Sequence, residues 1–574
     1  MLPIDPFDPA LCIGTVIEVG PTTVRAKLPD ATPPEANWRD GSGFHRGKVG
    51  DFVIVELDDA VIFGRIIGVR LSEDFAPPHK SGTHASQQSI ATIRLLSTIR
   101  VKEETIEAGV SCYPWLGSRV YATEPSLVRW IAEVSAEGHR ESSPLRMRLG
   151  TMPGAGEMAV RTGPERLFGR HCAVIGATGG GKSWTLARLI EETAAFPGAK
   201  IILFDATGEF HTLGDVARHV QLGEGPAEPP HCKTCVFPYT KLTEADLFAL
   251  FRPNGPVQGP KLRQAIKSLK LAKIDPNVAA NSRLLVRFQR VKAPIDLAFR
   301  THSRALEGVF AEFDLNLLVR QIQEECVYSS GGSANAPDYT RWGLYNEGDK
   351  SECTSLLGRI EDTCSSAELA CLFRSAGQPS LIDEIDEFLD NPAQRILRIS
   401  LKYLSFAYNA REIVADAIGR HLLVLGREQR LRKRPLLVFL DEAHQFLNKS
   451  LGDEQTRYPL EAFDLLAKEG RKYSLSMCIA TQRPSDIPEG VLSQIGTLLV
   501  HRLTNERDRQ VVERASDELD RSAAEFLPTL APGQAVLIGV AFPIPLTLQI
   551  SPPTAEPDSK GPRFQDQWAH AGSE

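Results

Sequence analysis

Short runs of β-forming residues separated by turn residues fill the first part of the chain. Within residues 14–69 these runs are GTVIEV, TTVRAKL, DFVIVEL and AVIFGRIIGV. Such a succession of short strands is typical of a small antiparallel barrel. The runs MRLG and MAVRTG near 147–163 predict further strands, so we assign residues 1–165 to one β-rich module.

From residue 171 the hydrophobic pattern changes to continuous apolar runs that alternate with helical periodicity. CAVIG precedes a glycine-rich turn and the helical pattern SWTLARLIEETAAF, and the strand AKIILFDA follows. After residue 395 come ILRISLKYL, a helix through 409–427, LLVFLDEA, a helix around 459–470, and LSMCIATQ. Strands alternating with helices predict a doubly wound α/β sheet. We assign its two parts to residues 166–215 and 395–550.

The intervening and final segments have other patterns. Residues 216–394 are mostly helical in periodicity, broken by loop-like stretches such as SSGGSANAPD, and predict a helical insertion. Residues 551–574 are rich in proline and in polar and charged residues, which predicts a flexible C-terminal tail.

Composition indicates an ordinary folded protein. Hydrophobic residues make up 42% of the chain and charged residues 24%, and the formal net charge is −7, so no global positive field marks nucleic-acid binding. The ten cysteines are scattered, as expected in a reducing compartment. Without a long apolar run or a signal peptide in the sequence, we expect a cytoplasmic protein with no membrane segment.

The strongest chemical motif is GATGGGKS, from Gly176 to Ser183, between a predicted strand and a predicted helix. It matches G-x-x-x-x-G-K-[ST], whose backbone N–H groups surround nucleotide phosphates. Lys182 would reach the β- and γ-phosphates, and Ser183 would ligate Mg²⁺. The alternative is a glycine-rich turn with an incidental lysine. The predicted nucleotide-binding residues are Gly176, Ala177, Thr178, Gly179, Gly180, Gly181, Lys182, Ser183 and Trp184.

A second motif, LLVFLDEAH at 436–444, is an apolar strand that ends in two acids. Asp441 would hold Mg²⁺, and Glu442 would polarise the attacking water. The adjacent glutamate favours an ATP motor over a small GTPase. The alternative is a solvated strand end with no catalytic role.

The third signal is the end of the strand LSMCIATQ, where Gln482 leaves the carboxyl edge of the sheet. Ligands of open α/β sheets bind along that edge, so Gln482 could contact the γ-phosphate. Arg471 and Lys472 in EGRKYS are further candidate cations, although exposed helices also carry such residues.

Together these motifs resemble the HerA family of hexameric DNA translocases. The segments that carry the resemblance are HCAVIGATGGGKS, DATGEF, LLVFLDEAH, EGRKYSLSMCIATQRPSD and LLVHRLTNERDR. The β-rich N-terminus resembles the barrel that precedes the motor in that family. The resemblance implies a RecA-like P-loop ATPase core with a small N-terminal β-barrel and an inserted helical domain, using ATP and Mg²⁺.

The resemblance also implies roles for individual residues. Glu442 and Gln482 take catalytic places, Arg170 matches an arginine that reaches a neighbouring subunit's nucleotide, and Arg471 matches one that acts within its own subunit. Asp205 and Glu209 in DATGEF would lie beside the site. This chain has Ala206-Thr207 where the family more often has Pro-His.

The function implied is an ATP-driven translocase that assembles as a homohexamer around double-stranded DNA. Its partner would be a nuclease or a sirtuin-like effector docked on the N-terminal barrel, in DNA end processing or antiphage defence. The alternative is a ring scaffold that assembles and activates an effector, with ATP hydrolysis secondary. A secretion or conjugation ATPase is disfavoured, since no membrane segment is found.

Two weaker signals have ordinary alternatives. Cys232 and Cys235, with His231 adjacent, could hold zinc, but a four-coordinate structural site needs two more ligands at suitable spacing, so free thiols are the simpler interpretation. The basic stretches 261–273, 282–292 and 427–434 could line a DNA channel or could be solvated helix faces.

Overall fold

The computed structural model describes residues 7–28, 38–39, 42–43, 47–71, 89–133, 145–153, 159–279, 283–333, 335–374, 377–447, 460–515, 526–542, 544–559, 561 and 564. The chain divides into two units. Unit 1 comprises Met1–Ile201, Arg434–His444 and Ser474–Glu574, and unit 2 comprises Ile202–Lys433 and Gln445–Tyr473.

A closed antiparallel barrel forms the N-terminal part of unit 1. The strands in this part of the chain are β1 (Cys12–Val19), β2 (Thr23–Leu28), β3 (Trp38–Arg39), β4 (Ser42–Gly43), β5 (Phe52–Glu56), β6 (Ala60–Leu71), β7 (Ser89–Arg100), β8 (Thr105–Ala108) and β9 (Arg119–Ala122). Six of them close in the order β2-β1-β9-β5-β6-β7, with β7 pairing back to β2 and β8 added beside β7. The inward side chains of Val16, Val24, Ile62, Ile93 and Val120 form its core. The predicted barrel is confirmed.

The next elements of the chain flank the phosphate loop and lie in unit 1 except for most of β13. Its elements are α1 (Pro125–Glu133), β10 (Met147–Thr151), β11 (Ala159–Thr162), α2 (Pro164–Phe168), β12 (Cys172–Ile175), α3 (Lys182–Ala194) and β13 (Lys200–Asp205).

Most of the following helices belong to unit 2. The elements are β14 (Arg218–Leu222), β15 (Lys233–Cys235), α4 (Glu244–Phe251), α5 (Gly255–Ile274), α6 (Lys292–Thr301), α7 (Ser303–Leu306), α8 (Leu318–Glu325), β16 (Gly331–Ser333), β17 (Ala336–Asp338), α9 (Glu347–Ser365), α10 (Ala370–Phe373), α11 (Leu381–Asp390), β18 (Ile396–Ser400) and α12 (Ala410–Arg427).

The last elements belong to unit 1, except for α13, which belongs to unit 2. They are β19 (Leu436–Leu440), α13 (Ala462–Glu469), β20 (Leu475–Thr481), α14 (Glu489–Leu492), β21 (Thr497–Val500), α15 (Glu506–Ala515), β22 (Gln534–Gly539) and β23 (Leu546–Ile550). No helix within the described residues is long and apolar enough to cross a bilayer.

The sheet of unit 1 runs in the order β11-β10-β23-β22-β21-β12-β20-β19. Strands β21, β12, β20 and β19 are parallel, and β22, β23, β10 and β11 extend the sheet in antiparallel pairs. The four parallel strands are buried on both faces, which explains their continuous apolar sequences. The predicted α/β P-loop fold class is confirmed.

Two predicted boundaries need correction in unit 1. The sequence pattern predicts residues 147–163 as part of the N-terminal module, but β10 pairs with β23 through Gly150 and Ile550 and so belongs to the core sheet. The predicted flexible tail from 551 packs against α3 as far as the backbone at 554–555, whose N–H groups donate to Glu191 at 2.9 and 2.6 Å. Of the residues after 559, the structure describes only 561 and 564.

Within unit 2, strands β13, β18, β14 and β15 lie side by side in that order. The predicted helical insertion, 216–394, therefore begins with two sheet strands, and its helices start only at Glu244. The polar residues of RHVQL and KTC hid these strands, although four of the five positions of β14 are buried.

Candidate nucleotide site

The phosphate loop connects the end of β12 to the start of α3 in unit 1. Gly179 and Gly181 adopt φ angles of 75° and 105°, a backbone conformation that favours glycine. Gly181 is the N-cap of α3 and makes no side-chain capping bond. The first N–H groups of the helix thus remain available to an anion, and the helix dipole favours negative charge there.

Lys182 lies buried between the two acids of the LLVFLDEAH motif. Its Nζ donates to Asp441 Oδ1 at 3.2 Å and to Glu442 Oε1 at 2.7 Å. The three side chains are 4%, 1% and 7% exposed, respectively. Burial alone would lower the pKa of Lys182, but the two carboxylates outweigh it and the pKa is raised. The lysine is therefore held as a cation.

Gln482 joins this cluster to the phosphate loop. Its Nε2 donates to Glu442 Oε1, and its Oε1 accepts from the Thr178 hydroxyl at 2.5 Å. On the other side of the carboxylate, His444 Nδ1 lies 3.3 Å from Glu442 Oε2. Burial lowers the pKa of His444. The Glu442 carboxylate thus contacts Lys182 at the start of α3, Gln482 after the end of β20, and His444 two residues further along the chain.

Glu442 also has an unusual backbone. Its φ of 47° lies in the left-handed region, which a non-glycine residue adopts at a cost of roughly 1 kcal/mol or more. Such strain persists where surrounding contacts over-determine the conformation, and it clusters at functional sites. The conformation directs the Glu442 side chain towards Lys182 and Gln482.

The other predicted loop residues line the same segment, whereas Arg170 lies elsewhere. Ser183 and Trp184 are half-buried on the first turn of α3. Arg170 precedes β12, whose four residues span about 13 Å, and so lies at the opposite edge of the sheet from the loop. Its side chain is exposed, and its backbone carbonyl accepts from Gly496 N at 2.7 Å. Arg170 is not part of its own chain's cluster.

Three further predicted residues belong to unit 2. Arg471 is exposed in the 3₁₀ turn Gly470–Tyr473, and Glu209 begins the 3₁₀ segment after β13. The Asp205 carboxylate accepts from the N–H groups of Gly208 and Phe210 and from Arg398 Nε at 2.6 Å. Asp205 thus closes the DATGEF turn. The sequence analysis missed Arg398. Its position within the apolar strand ILRIS is the feature of the sequence that indicates burial.

Sequence reasoning also missed His501, which directly follows β21 and is fully buried against the phosphate loop. A polar residue at the carboxyl end of a parallel strand beside the loop is the signal that could have found it.

The cysteines and basic stretches of unit 2 have mostly structural partners. All ten cysteines are free, and no group of three or more possible metal ligands occurs in the described part of the chain. Lys261, Arg263 and Arg287 form ion pairs with acidic side chains of unit 2. In the third stretch, Arg432 and Lys433 are exposed, and no ion pair of theirs occurs among the described residues.

The site is that of a P-loop nucleoside triphosphatase. Its defining parts are a glycine-rich loop after a parallel strand, a buried lysine at the start of the next helix, and an Asp-Glu pair at the end of a nearby strand.

Comparison with known proteins shows similarity to helicases of the HerA type. Residues 147–290 match the family model described as "Helicase HerA, central domain". A probable helicase of Methanocaldococcus jannaschii is 24% identical over 506 residues, which cover 86% of this chain and 84% of that protein. The DNA double-strand break repair helicase HerA of Sulfolobus acidocaldarius is 23% identical over 438 residues, covering 75% and 74%. The chain is thus similar to HerA helicases over most of its length, and it is an ATPase.

Among solved structures, the bacterial conjugative coupling protein TrwB aligns with 76% of this chain and 94% of its own, at 15% identity and a TM-score of 0.43.

Proposed function

We propose that the protein is a ring-forming motor that uses ATP hydrolysis to move along double-stranded DNA. The observation that carries the proposal is the cluster in which Lys182, Asp441, Glu442 and Gln482 meet beside the phosphate loop. The relatives named as DNA double-strand break repair helicases support DNA as the substrate along which it moves.

The loop fits the phosphates of ATP. The uncapped start of α3 and the glycine backbone offer N–H donors, and nothing lies within 4 Å of the position that a side chain at Gly179 would occupy. Lys182 would turn from its carboxylates to the β- and γ-phosphates, which carry more negative charge.

Mg²⁺ fits the oxygen donors at the same place. The hydroxyl of Ser183 and the carboxylate of Asp441 are the hard ligands that this ion prefers. When bound, the ion neutralises charge on the phosphate oxygens.

Glu442 is the group we assign to orient the attacking water. Its Oε1 is occupied by Lys182 and Gln482 in the structure. The movement of Lys182 towards the phosphates would release one of these two bonds, leaving Oε1 able to accept from water. Gln482 would remain between Glu442 and Thr178 of the loop.

The exposed Arg170 supports a ring in which subunits complete one another's sites. Its place at the far edge of the sheet excludes it from its own cluster, and its guanidinium is free of hydrogen bonds and ion pairs among the described residues. A guanidinium supplied by a neighbour stabilises charge in phosphoryl transfer. We propose a homohexamer with Arg170 acting on the adjacent subunit and Arg471 within its own.

Two surfaces support the proposed partners. The exposed Arg432 and Lys433 could contact DNA phosphates without reading sequence. On the barrel, Trp115 and Leu116 are 74% and 70% exposed, and tryptophan is enriched where proteins bind one another. We propose that a nuclease or a sirtuin-like effector docks on the barrel, in DNA end processing or antiphage defence, and that the complex works in the cytoplasm.

The test measures ATP turnover and the displacement of a third strand from linear duplex DNA by the purified protein. We expect DNA to stimulate turnover and Lys182→Ala to abolish both activities. Lys468→Ala is the matched control, because it removes only an exposed ion pair with Asp464. ATP turnover that DNA does not change, with an effector still activated by Glu442→Gln, would favour the scaffold alternative.

A further inference from the structure

The segment that carries His501 extends the hydrogen bonding between β21 and β12 as far as the phosphate loop. Its N–H donates to the carbonyl of Ile175, the last residue of β12, at 2.7 Å. Ala177 N donates in turn to the carbonyl of Arg502 at 3.1 Å. The first residues of the loop are therefore held by the segment that carries His501.

The imidazole fills the space directly under the loop. A side chain at Gly176 would place its Cβ only 2.6 Å from His501 Cβ, and one at Gly181 would lie 3.4 Å from Cε1 of the ring. Glycine is thus needed at Gly176 to make room for the histidine, in addition to any need for phosphate access.

The hydrogen bonds of His501 define one tautomer. Nδ1 lies 2.8 Å from the Gln534 carbonyl, which can only accept, so Nδ1 carries the proton. Nε2 lies 2.8 Å from Thr185 Oγ1 and must accept from this hydroxyl. Burial lowers the pKa of His501 to about 4, so the ring is neutral at physiological pH.

These bonds link three elements around the phosphates. Thr185 belongs to the first turn of α3, three residues after Lys182, and Gln534 begins β22. Gly533, the preceding residue, donates its N–H to the carbonyl of Gly180 in the loop at 3.2 Å. A single side chain therefore ties the start of α3 to the strand that also contacts the loop.

We infer that His501 is a positioning residue that holds the phosphate loop and the first turn of α3 in the nucleotide-binding conformation before the nucleotide arrives. The inference rests on the proposed binding of nucleotide at this loop. A loop that is already ordered loses less conformational freedom when the nucleotide binds. Removing the His501 side chain that orders the loop should therefore weaken nucleotide affinity. The effect should be similar for ATP and ADP, since both carry the phosphates that the loop N–H groups contact.

The experiment measures the dissociation constant of MgADP by calorimetry, and KM and kcat for ATP, with the full chain. His501→Asn can keep a donor towards Gln534 but loses the acceptor for Thr185. Thr185→Val keeps the shape of the side chain but loses the donor. We expect each variant to raise Kd for ADP and KM for ATP about tenfold, with a much smaller change in kcat, as loss of uniform binding requires. In the double variant, the effects should not add, because both changes remove the same bond.

His171→Asn is the matched control. His171 is also buried in unit 1, and its Nδ1 accepts from Met477 N at 3.0 Å, but it precedes β12 and lies away from the loop. It should lower thermal stability without changing Kd for ADP.

Unchanged Kd and KM in a folded His501→Asn variant would overturn the inference. Where that variant does not fold, Thr185→Val decides the question by the same two values. An equal rise of Kd in His171→Asn would also overturn it, since the effect would then be one of general stability. A wild-type chain that binds no ADP would contradict the proposed function itself.

Discussion

Removing the Lys182 amine should destabilise the protein in the absence of nucleotide. Lys182→Ala would leave the side chains of Asp441 and Glu442, 1% and 7% exposed, without the cation that lies 3.2 and 2.7 Å away. Breaking a buried ion pair by removing one partner costs about 3–5 kcal/mol, because the remaining charge stays buried. For a domain of a few hundred residues, such a loss lowers Tm by roughly 5–10 °C.

The assay is thermal unfolding of wild type, Lys182→Ala, Glu442→Gln and the double variant without nucleotide. The double variant should recover part of the lost Tm, since one of the two uncompensated carboxylates is then neutral. Lys468→Ala controls for the removal of a lysine and should shift Tm by about 1 °C at most. A Tm for Lys182→Ala within 1 °C of wild type would refute the buried cluster as we describe it.

Three further outcomes are expected. Glu442→Gln should bind ATP but hydrolyse it at least tenfold more slowly, and a normal single-turnover rate would leave Glu442 a structural residue. Arg170→Ala should bind ATP and hydrolyse it poorly, and mixing it with Lys182→Ala subunits should restore part of the activity. Mixed rings that stay inactive would exclude action on a neighbour. His501 should make the free energy of unfolding fall by about 2 kcal/mol per subunit between pH 7 and 5. Burial and the nearby Lys182 charge lower the pKa of His501 in the folded protein from 6.5 to about 4. Over this pH range the unfolded chain therefore takes up a proton that the folded chain does not. The measurement is the urea midpoint of unfolding between pH 7 and 5. It should fall less steeply with decreasing pH in His501→Asn than in wild type, and an equal fall in both proteins would contradict the lowered pKa of His501.

The nucleotide cluster could be predicted because its parts are contiguous motifs. GATGGGKS and LLVFLDEAH each contain their chemistry within nine residues and follow apolar strands. Lys182 and Asp441 are 259 positions apart, yet they meet because β12 and β19 both flank β20 in a parallel sheet. The carboxyl ends of such strands share one edge.

The barrel was only partly predictable, because β7 does not show a clear alternation. Its inward positions include Ser89, Ala91 and Ser97, which are small or polar but buried. A period of two in hydrophobicity is lost when the buried face carries serine. Strand pairing with β2 and β6 across the chain, not local pattern, determines that this segment is a strand.

The hydrogen-bond partners of His501 and Arg398 could not be predicted from the sequence. His501 bonds to Thr185 and Gln534, which are 316 and 33 positions away, and Arg398 bonds to Asp205 across 193 positions. No spacing rule connects residues at such separations. Only the folded sheet shows that each polar side chain has partners where it is buried.

The arrangement around Lys182 links nucleotide binding to the availability of Glu442. One amine compensates two buried carboxylates, and in the proposed mechanism the same amine would also be the principal cation for the phosphates. A nucleotide that recruits Lys182 therefore changes the hydrogen bonding of Glu442 in the same step, while Gln482 keeps that carboxylate connected to Thr178 in the loop. Binding of nucleotide at the loop would therefore control whether Glu442 is free to accept a hydrogen bond from water. A motor needs this coupling, because hydrolysis before the phosphates are fully bound would release energy without movement.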